Sequence, residues 1–298
     1  MSAAEHVAVP SRPRAVVLGA GAIGSLVGGV LGRMCDVTLV CREAHAAAIR
    51  ENGLRVTGHE SFTCRPGTAC DPRPVREAEF VLVTCKTFDT EALLADARQH
   101  WRDGTPCILL QNGLGIEEAA RAVLPGVPLV RGITYLGVTF TEPGAVHWAA
   151  DGATTFGAVT DDAGECAAQV CRLFEDARLP ASVSEDIEGV IWKKTLANVG
   201  INALGAVTGF TNGKLAENEH TRNLMIRLVH EAQTVAAAEG HRFDAVEDVL
   251  AAARATGPNR NSMLQDRDAG RATEIDVLNA AVVRRAEHHG LAAPANET

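Results

Sequence analysis

The sequence predicts a doubly wound α/β domain followed by an all-helical domain. Short apolar runs alternate with helical patterns from residue 14 to about residue 183, which is typical of a parallel sheet covered by helices. After Ile187 no convincing strand pattern occurs and long helical patterns dominate. The 298 residues suffice for two domains, each with its own core. We expect a flexible tail over 1–13, an α/β domain over 14–183 and a helical domain over 184–298.

The strands of the first domain are predicted from their apolar runs. They cover 15–19, 36–41, 80–85, 107–111, 132–140 and 145–157. We expect the last two to form a β hairpin at one edge of the sheet. Helical patterns at 23–33 and 90–101 lie between the earlier strands.

The helices of the second domain are predicted at 187–207, 217–239, 244–255, 262–268 and 274–289. Gly240 and Gly290 follow helical runs, as C-terminal capping glycines do. Ser262-x-x-Gln265 and Thr273-x-x-Asp276 fit capping boxes, which would start two of these helices.

The composition excludes several classes of function. A formal net charge of −9 argues against nucleic acid as a partner, because such binding needs lysine and arginine to neutralise phosphates. No stretch approaches the ~20 apolar residues of a membrane span, and the first residues lack the apolar core of a secretory signal. The eight cysteines form no C-x-x-C pair and the ten histidines no H-E-x-x-H motif. We therefore expect reduced thiols, no metal and a cytoplasmic location.

A glycine-rich turn joins the first predicted strand to the first predicted helix. It consists of Gly19, Ala20, Gly21, Ala22, Ile23 and Gly24. In such a turn the first glycine permits a tight bend, the second lets the backbone approach a pyrophosphate, and the third lets helix and strand pack closely. The helix N-terminus then faces the phosphates. The motif predicts a dinucleotide site, and the alternative is a glycine-rich turn without a ligand.

The residue after the second predicted strand bears on which dinucleotide binds. An NAD site places an acidic residue there to hold the ribose hydroxyls, whereas an arginine can pair with the 2′-phosphate of NADP. Here Arg42 and Glu43 follow the strand. Arg42 favours NADP(H), and the alternative is that Glu43 holds the ribose while Arg42 is merely exposed.

Two further strand ends carry polar side chains. Lys86 follows FVLVTC, and Asn112 follows CILLQ. Ligands of open α/β sheets bind at the carboxyl ends of the strands, so both residues are expected at the cofactor crevice. Taken separately, a solvated lysine and an ordinary Asn-Gly turn explain them about equally well.

A polar stripe runs along the first helix of the second domain. Lys194, Asn198 and Asn202 are spaced so that they share one face among apolar neighbours. They either line a cavity for a small ligand with carboxylate and hydroxyl groups or form a stripe in water. Carbonyl reduction by a nicotinamide needs a proton donor. Lys194 is the best candidate, because partial desolvation can lower the pKa of a lysine toward neutrality.

The residues alone do not decide the function of the segment from Asn259 to Asp276. Ser262 and Thr273 can be simple helix caps. Glu274, in a first helical turn, can simply complement the helix dipole.

A series of separated motifs, in order, resembles the ketopantoate reductase (2-dehydropantoate 2-reductase) family from about residue 14 to about residue 296. They are GAGAIG at 19–24, the strand-end Arg42, VTCK at 83–86, LLQNGLG at 109–115, the PGAVHWAADG hairpin, WKKTLANVGIN at 192–202, TNGKL at 211–215, NRNSMLQD at 259–266 and TEIDVLNA at 273–280. The resemblance implies a Rossmann-type NADP-binding domain and a helical domain like that of 6-phosphogluconate dehydrogenase. The two would close over the ligands about a hinge near 182–186.

The resemblance also implies a reaction and roles for residues. NADPH would deliver a hydride to C2 of 2-dehydropantoate, giving (R)-pantoate for pantothenate synthesis. Lys194 would protonate the nascent alkoxide, and Glu274 would fix the substrate hydroxyl and the geometry of the site. The expected substrate-binding residues are Asn198, Asn202 and Ser262, with Asn212 and Asn259 near the ligand. Lys86 and Asn112 would lie where nicotinamide and substrate meet, and Arg42 would hold the 2′-phosphate.

Two departures from the family pattern accompany the resemblance. Family members usually continue with another helical stretch beyond LAAPANET, so an incomplete or trimmed C-terminal edge is expected. Gly205 stands where the family often has a larger residue, which would alter the shape of the pocket.

Three alternative functions and a homodimer stay open. A paralogue could reduce another branched 2-oxo acid, since one methylene changes discrimination by only ~1–3 kcal/mol. A non-catalytic NADP-binding sensor would need the glycine turn and Arg42 but not Lys194. A β-hydroxyacid dehydrogenase also pairs such domains, although the NRNSMLQD and TEID segments favour ketopantoate reductase. The helical domain could pack against a second copy of the chain.

Overall fold

The computed structural model describes residues 12–298, and its strands form two sheets. Most of the predicted tail, residues 1–11, lies outside the described residues. The strands are β1 (Arg14–Leu18), β2 (Asp36–Val40), β3 (Leu54–Gly58), β4 (Phe62–Cys64), β5 (Gly67–Ala69), β6 (Phe80–Val83), β7 (Cys107–Leu109), β8 (Leu129–Thr134), β9 (Gly137–Glu142), β10 (Ala145–Ala150), β11 (Thr154–Ala158) and β12 (Ala181–Val183).

The larger sheet has eight strands in the order β12-β11-β8-β7-β6-β1-β2-β5. From β8 to β5 all neighbours pair in parallel, while β11 runs antiparallel to β8. The carboxyl ends of β1, β2, β6 and β7 therefore meet at one edge of the sheet. Strand β2 lies on one side of β1, and β6, which comes later in the chain, lies on the other side. This reversal of the strand order opens a crevice at the edge, where ligands of such sheets bind.

The predicted hairpin exists, but its predicted place at the edge of the main sheet is wrong. Strands β9 and β10 pair antiparallel within a separate four-stranded sheet of order β4-β3-β10-β9. The predicted strand 132–140 is broken at Tyr135 and Leu136, where the chain leaves one sheet for the other. The predicted strand 145–157 is divided in the same way at 151–153. Gly152 permits this crossing, because a Cβ there would lie 2.2 Å from the carbonyl oxygen of Tyr135.

The helices of the first domain cover the main sheet, and those of the second domain follow it. They are α1 (Ala22–Leu31), α2 (Glu43–Asn52), α3 (Thr90–Arg98), α4 (Ile116–Val123), α5 (Gly164–Asp176), α6 (Ile187–Thr208), α7 (Asn212–Glu217), α8 (Glu219–Ala238), α9 (Val246–Ala255), α10 (Ser262–Asp268), α11 (Asn279–His288) and α12 (Pro294–Glu297). This arrangement confirms the predicted fold class, an α/β domain with parallel strands followed by helices. The predicted boundary at 183/184 falls between β12 and α6, and we keep it as a proposed domain boundary.

Both predicted capping boxes are wrong, although the predicted helix 262–268 matches α10. The side chain of Asn261, and not of Ser262, caps α10 by accepting a hydrogen bond from the backbone of Leu264 at 3.0 Å. Thr273 caps no helix, because the backbone from Ile275 to Val277 forms one 3₁₀ turn and α11 begins only at Asn279. A turn at Leu278, with φ −111° and ψ −102°, separates the two. Gly240 and Gly290 do follow helices in the left-handed region, as predicted.

Within residues 12–298 no helix is long and apolar enough to cross a membrane. The same residues contain no cluster of three or more His, Cys, Asp or Glu that could hold a metal ion. All eight cysteines are unpaired.

The helix α1 is packed between the two sheets. A Cβ on Gly28 would lie 2.5 Å from Leu39 of β2, while a Cβ on Gly29 would lie 3.1 Å from Leu54 of β3. Small residues on two different faces therefore let both sheets approach this helix closely. This packing fixes the N-terminus of α1, which is continuous with the glycine-rich turn.

A buried histidine joins the second sheet to this turn. His45 is only 4% exposed, and its Nδ1 accepts a hydrogen bond at 2.8 Å from the backbone of Gly144, in the turn between β9 and β10. Its Nε2 must then carry the proton, and it lies 2.9 Å from the hydroxyl of Ser25 in α1. That hydroxyl is 3.4 Å from the carbonyl oxygen of Ala20. The neutral imidazole therefore connects the hairpin to the glycine-rich turn.

We predict that the free energy of unfolding decreases at acidic pH because His45 is buried in its neutral form. Burial lowers the pKa of His45 below its usual 6.5, so unfolding takes up a proton between the two pKa values. The stabilisation is complete above pH 6.5 and is lost as the pH falls, by up to about 1.4 kcal/mol per pH unit. Urea unfolding at pH 7.5 and 5.5 should show a larger loss for the wild type than for His45→Gln. Equal losses would contradict the prediction.

Candidate active site

The glycine-rich turn lies where β1, β2 and β6 end. The backbone N–H groups of Gly19 and Ala20 both donate to the carbonyl of Val40 at 3.0 Å. Gly19 has φ +76°, and a Cβ there would lie 2.3 Å from the Cβ of Cys85. Both the backbone conformation and the space therefore require glycine. The turn is held against the ends of the neighbouring strands.

The other two glycines of the motif differ in their surroundings. A Cβ on Gly24 would lie 2.2 Å from the hydroxyl of Thr84 and 2.9 Å from Val17, so helix and sheet touch there. A Cβ on Gly21 would meet only the carbonyl of Gly19, at 4.0 Å. No side chain caps the N-terminus of α1. The turn therefore leaves open space and free N–H groups in the first turn of α1, as a pyrophosphate requires.

The two residues after β2 have different surroundings. The carboxylate of Glu43 is 2.5 Å from Arg50 and accepts a hydrogen bond from the thiol of Cys70 at 2.8 Å. These hydrogen bonds lower the pKa of Glu43, with that from Cys70 first and that from Arg50 second. Arg42 is exposed at the start of α2. The arrangement favours Arg42 over Glu43 as the residue available to a ligand.

A narrow cleft between the domains brings together several of the predicted residues. Asn112 comes from the first domain, while Asn202, Ser262 and Glu274 come from the second. Met263, Asp266 and Leu278 complete the lining. The Oδ1 atom of Asn112 is buried without a hydrogen-bond partner in the described part of the chain. Such an atom indicates room for a ligand donor, because buried polar groups are normally paired.

A larger cavity, of about 740 Å³, lies at the opposite edge of the main sheet. Its lining includes Arg14 and Asp36, where β1 and β2 begin, and it contains none of the predicted site residues. Ligands of open α/β sheets bind at the carboxyl ends of the strands. We therefore take the narrow cleft as the candidate site.

Lys86 connects the two domains across the cleft. Its ammonium lies 2.6 Å from Asp266 and 3.3 Å from Glu274. The other oxygen of Glu274 accepts a hydrogen bond at 3.1 Å from the backbone of Thr87. Burial lowers the pKa of Lys86, but the charge of Glu274 and the hydrogen bond to Asp266 outweigh burial and raise the pKa overall. Lys86 therefore carries its charge in this arrangement.

Sequence reasoning missed Asp266. This residue is 4% exposed and is also held by Arg271, whose Nε lies 3.0 Å from Oδ1. It is one helical turn beyond Ser262 on α10, so helical spacing could have placed it on the same face. Nothing local indicated that its partner would be Lys86.

Lys194 lies on α6 with its ammonium enclosed by the end of the first domain. The ammonium donates to the carbonyl oxygen of Thr134 and is 5.0 Å from the centre of the Tyr135 ring. The pKa of Lys194 is lowered to about 7, first by burial and second by the charge of Arg131, while the charge of Glu274 acts in the opposite direction. The residue itself is only partly buried. The shift follows from the surroundings of the ammonium, which contacts the carbonyl of Thr134 and the Tyr135 ring.

Three of the predicted substrate residues are not among those that line the cleft. Asn198 is half-buried on α6. The side chain of Asn212 donates to Thr256 at 2.9 Å, and its backbone N–H donates to the carbonyl of Asn259. Asn259 itself is exposed. In the structure, Asn212 and Asn259 join α7 to the segment after α9.

Gly205 contacts α10 and not the cleft. A Cβ there would lie 2.0 Å from the Nδ2 atom of Asn261. That amide donates to the carbonyl of Ile201 at 3.3 Å, while its oxygen caps α10. The expected effect of Gly205 on pocket shape is therefore indirect: glycine lets α10, with Ser262 and Asp266, pack against α6.

The fold and the cleft define a two-domain dinucleotide-binding protein with a lysine at the domain junction. The model of the family "Ketopantoate reductase PanE/ApbA" matches residues 15–161, and that of its C-terminal domain matches residues 186–298. The chain belongs to the ketopantoate reductase family.

Relatives and solved structures agree with this assignment. The chain is 38% identical to the 2-dehydropantoate 2-reductase of Halobacterium salinarum, over 96% of each chain. It is 36% identical to that of Pyrococcus horikoshii, over 94% of this chain and 93% of the relative. The crystal structure of 2-dehydropantoate 2-reductase from Geobacter metallireducens is similar at a TM-score of 0.89 and 28% identity, covering 95% of this chain and 96% of that chain.

We predict that Gly205→Ala destabilises the protein and displaces α10. The added methyl group would push the Asn261 side chain away, so the cap of α10 and the contact with Ile201 would both weaken. Loss of a cap alone costs about 0.5–2 kcal/mol. Urea unfolding should show a loss of this size, with Gly164→Ala as control because a Cβ there meets nothing within 4 Å. Equal stability of both variants would contradict the prediction.

Proposed function

We propose that this chain reduces 2-dehydropantoate to (R)-pantoate with NADPH, Lys194 acting as the general acid. The observation that carries the proposal is the enclosed ammonium of Lys194, which binds the end of β8 and is influenced by the charge of Glu274, a residue that lines the cleft with Asn202 and Ser262. The pKa of this lysine, lowered by burial to about 7, suits a proton donor at neutral pH. Family membership supports the choice of substrate.

The residues present fit NADPH. The open space at Gly21 and the uncapped N-terminus of α1 suit the pyrophosphate. Arg42 suits the 2′-phosphate, since Glu43 is already held by Arg50 and Cys70. The unpartnered Oδ1 of Asn112 suits an amide N–H of the nicotinamide. When bound, NADPH supplies the hydride that the C2 carbonyl carbon of the substrate accepts.

Lys194 would complete the reduction by moving one proton. As the hydride forms the new C–H bond at C2, the carbonyl oxygen gains the electron pair of its π bond. Lys194 would transfer a proton to that oxygen, giving the hydroxyl of pantoate and leaving a neutral amine. The amine would regain its proton from water after product release. A pKa lowered to about 7 makes both transfers accessible near neutral pH.

The remaining cleft residues would bind the substrate. Ser262 would donate to its carboxylate, and the buried amides of Asn202 and the half-buried Asn198 would bind its other oxygens. Asn212 and Asn259 would support the site from the adjoining α7 segment. Glu274 would accept a hydrogen bond from the substrate hydroxyl, because a carboxylate with two partners still has free lone pairs. Lys86 would hold Glu274 in place for that contact.

Cytoplasmic location and a homodimer are also part of the proposal. Free thiols at all eight cysteines support a reducing compartment. Fractionation of cells and light scattering of the purified protein test these two points.

We predict turnover of 2-dehydropantoate with NADPH and far less with NADH. Oxidation of each cofactor is followed at 340 nm, with 2-oxoisovalerate, which lacks the terminal hydroxyl, as the parallel substrate. Arg42→Ala should weaken NADPH use by about 10–100-fold and leave NADH use unchanged, since a charge-assisted contact contributes ~1.5–3 kcal/mol. Glu43→Ala is the matched neighbour. If Glu43→Ala, and not Arg42→Ala, impairs NADPH use, the assignment of Arg42 is wrong.

We predict that Lys194→Ala binds NADPH normally but loses turnover. Removal of a general acid costs typically 10²–10⁴-fold in rate. In the wild type kcat/KM should fall as the pH rises above about 7, because the proton donor of the free enzyme is then lost. Lys193→Ala, an exposed neighbour on α6, is the control. If Lys194→Ala turns over at the wild-type rate, Lys194 is not the general acid.

A further inference from the structure

The strand β8 carries an arginine that the proposed mechanism does not use. Arg131 is 0% exposed, and it is the largest side chain that is fully buried in the described residues. Its Nη2 donates to the carbonyl oxygen of Gly113 at 3.1 Å. Its Nε lies 3.6 Å from the carboxylate of Glu117, at the start of α4. A buried cation of this kind is costly, so its position calls for a reason.

The carbonyl held by Arg131 belongs to the loop that carries Asn112. In this loop Gly113 has φ +104°, and a Cβ there would lie 2.6 Å from the carbonyl oxygen of Val277. The next residue, Leu114, donates its N–H to that same oxygen at 2.9 Å. Val277 ends the short turn that begins after Glu274. Arg131 therefore holds the loop in which the next residue, Leu114, makes the hydrogen bond to Val277 of the second domain.

The charge of Arg131 is poorly compensated. Within residues 12–298 its Nε and Nη1 atoms have no hydrogen-bond partner, and neither has the Oε2 atom of Glu117. The two groups interact at 3.6 Å without a direct hydrogen bond. In an interior of low dielectric constant, such a charge acts over longer distances than it does in water.

Lys194 is close enough to experience this charge. Its ammonium binds the carbonyl of Thr134, which ends the same strand that carries Arg131. The charged and titratable groups that face Lys194 are Arg131 from β8, Tyr135 from the loop after it and Glu274 from the second domain. Burial lowers the pKa of Lys194 first, and among these groups Arg131 adds to the lowering.

We propose that Arg131 and Glu117 form a positioning pair for the reaction, which holds the Asn112 loop against the second domain and places a buried positive charge near Lys194. The inference rests on the proposed function, since it concerns the same general acid. It assigns a role to two residues that do not line the cleft.

Removal of either charge should shift the titration of Lys194, and the two shifts have opposite signs. Without Arg131 the protonated ammonium is repelled less, so the pKa of Lys194 rises. Without the negative charge of Glu117 the arginine is less compensated, so the pKa of Lys194 falls. A general loss of packing would not produce opposite shifts.

The test compares the pH dependence of kcat/KM for NADPH-dependent reduction in Arg131→Met, Arg131→Lys and Glu117→Gln. The falling limb should move upward by roughly 0.5–1 pH unit in Arg131→Met and downward in Glu117→Gln. Arg131→Lys should stay close to the wild type. Glu91→Gln is the matched control, because Glu91 is an exposed carboxylate in the first turn of α3 and its charge is not among those that act on Arg131. Shifts in one direction, or none, would overturn the proposal.

A second measurement separates this inference from the proposed function. The rate at which acetic anhydride labels Lys194, followed by mass spectrometry against pH, reports its titration without turnover. If the wild type reduces no 2-oxo acid, the proposed function fails, while opposite shifts in labelling still support the pair. If Arg131→Met does not fold, Glu117→Gln decides alone: a downward shift supports the proposal and an unchanged titration overturns it.

Discussion

The structure depends on one ionic contact across the domain junction, where Lys86 of the first domain meets two carboxylates of the second. Asp266 is almost fully buried, and removal of Lys86 would leave its Oδ2 atom without the cation that now compensates it, with Arg271 bound only to Oδ1. The contact also fixes Glu274, whose second oxygen is bound by the backbone of Thr87. The charge of Glu274 opposes the lowering of the pKa of Lys194. The contact that joins the two domains therefore also influences the pKa of the proposed acid.

Much of the fold could be predicted because local patterns carry it. The strands β1, β6 and β7 are buried almost throughout, so they appear as continuous apolar runs. The glycine-rich turn between β1 and α1 is local as well. By contrast, the passage from β8 to β9 keeps an apolar pattern while the chain changes sheets. No local signal distinguishes one long strand from two strands in different sheets.

Part of the lining of the candidate cleft was predictable, because spacing or resemblance selected its residues. Asn202, Ser262 and Glu274 do meet in one cleft together with Asn112. The contacts that hold the cleft closed were not predictable, because the partners are far apart in the chain. Lys86 and Asp266, for example, are separated by 180 residues. The cap formed by Asn261 was not predicted for a different reason. Asparagine and serine are about equally favoured at the N-cap position, and Ser262 is the next residue.

The parallel pairing of β3 with β10 has a consequence for how the chain folds. Thr57 and His147, which face each other in this pair, are 90 residues apart, and half of the strands of the main sheet are synthesised between them. Contacts of such long range form slowly, because the entropy of closing the intervening loop must be overcome first. We therefore expect the second sheet to assemble late, onto a helix α1 already seated on the first sheet. The glycine-rich turn would gain its final support only at that stage.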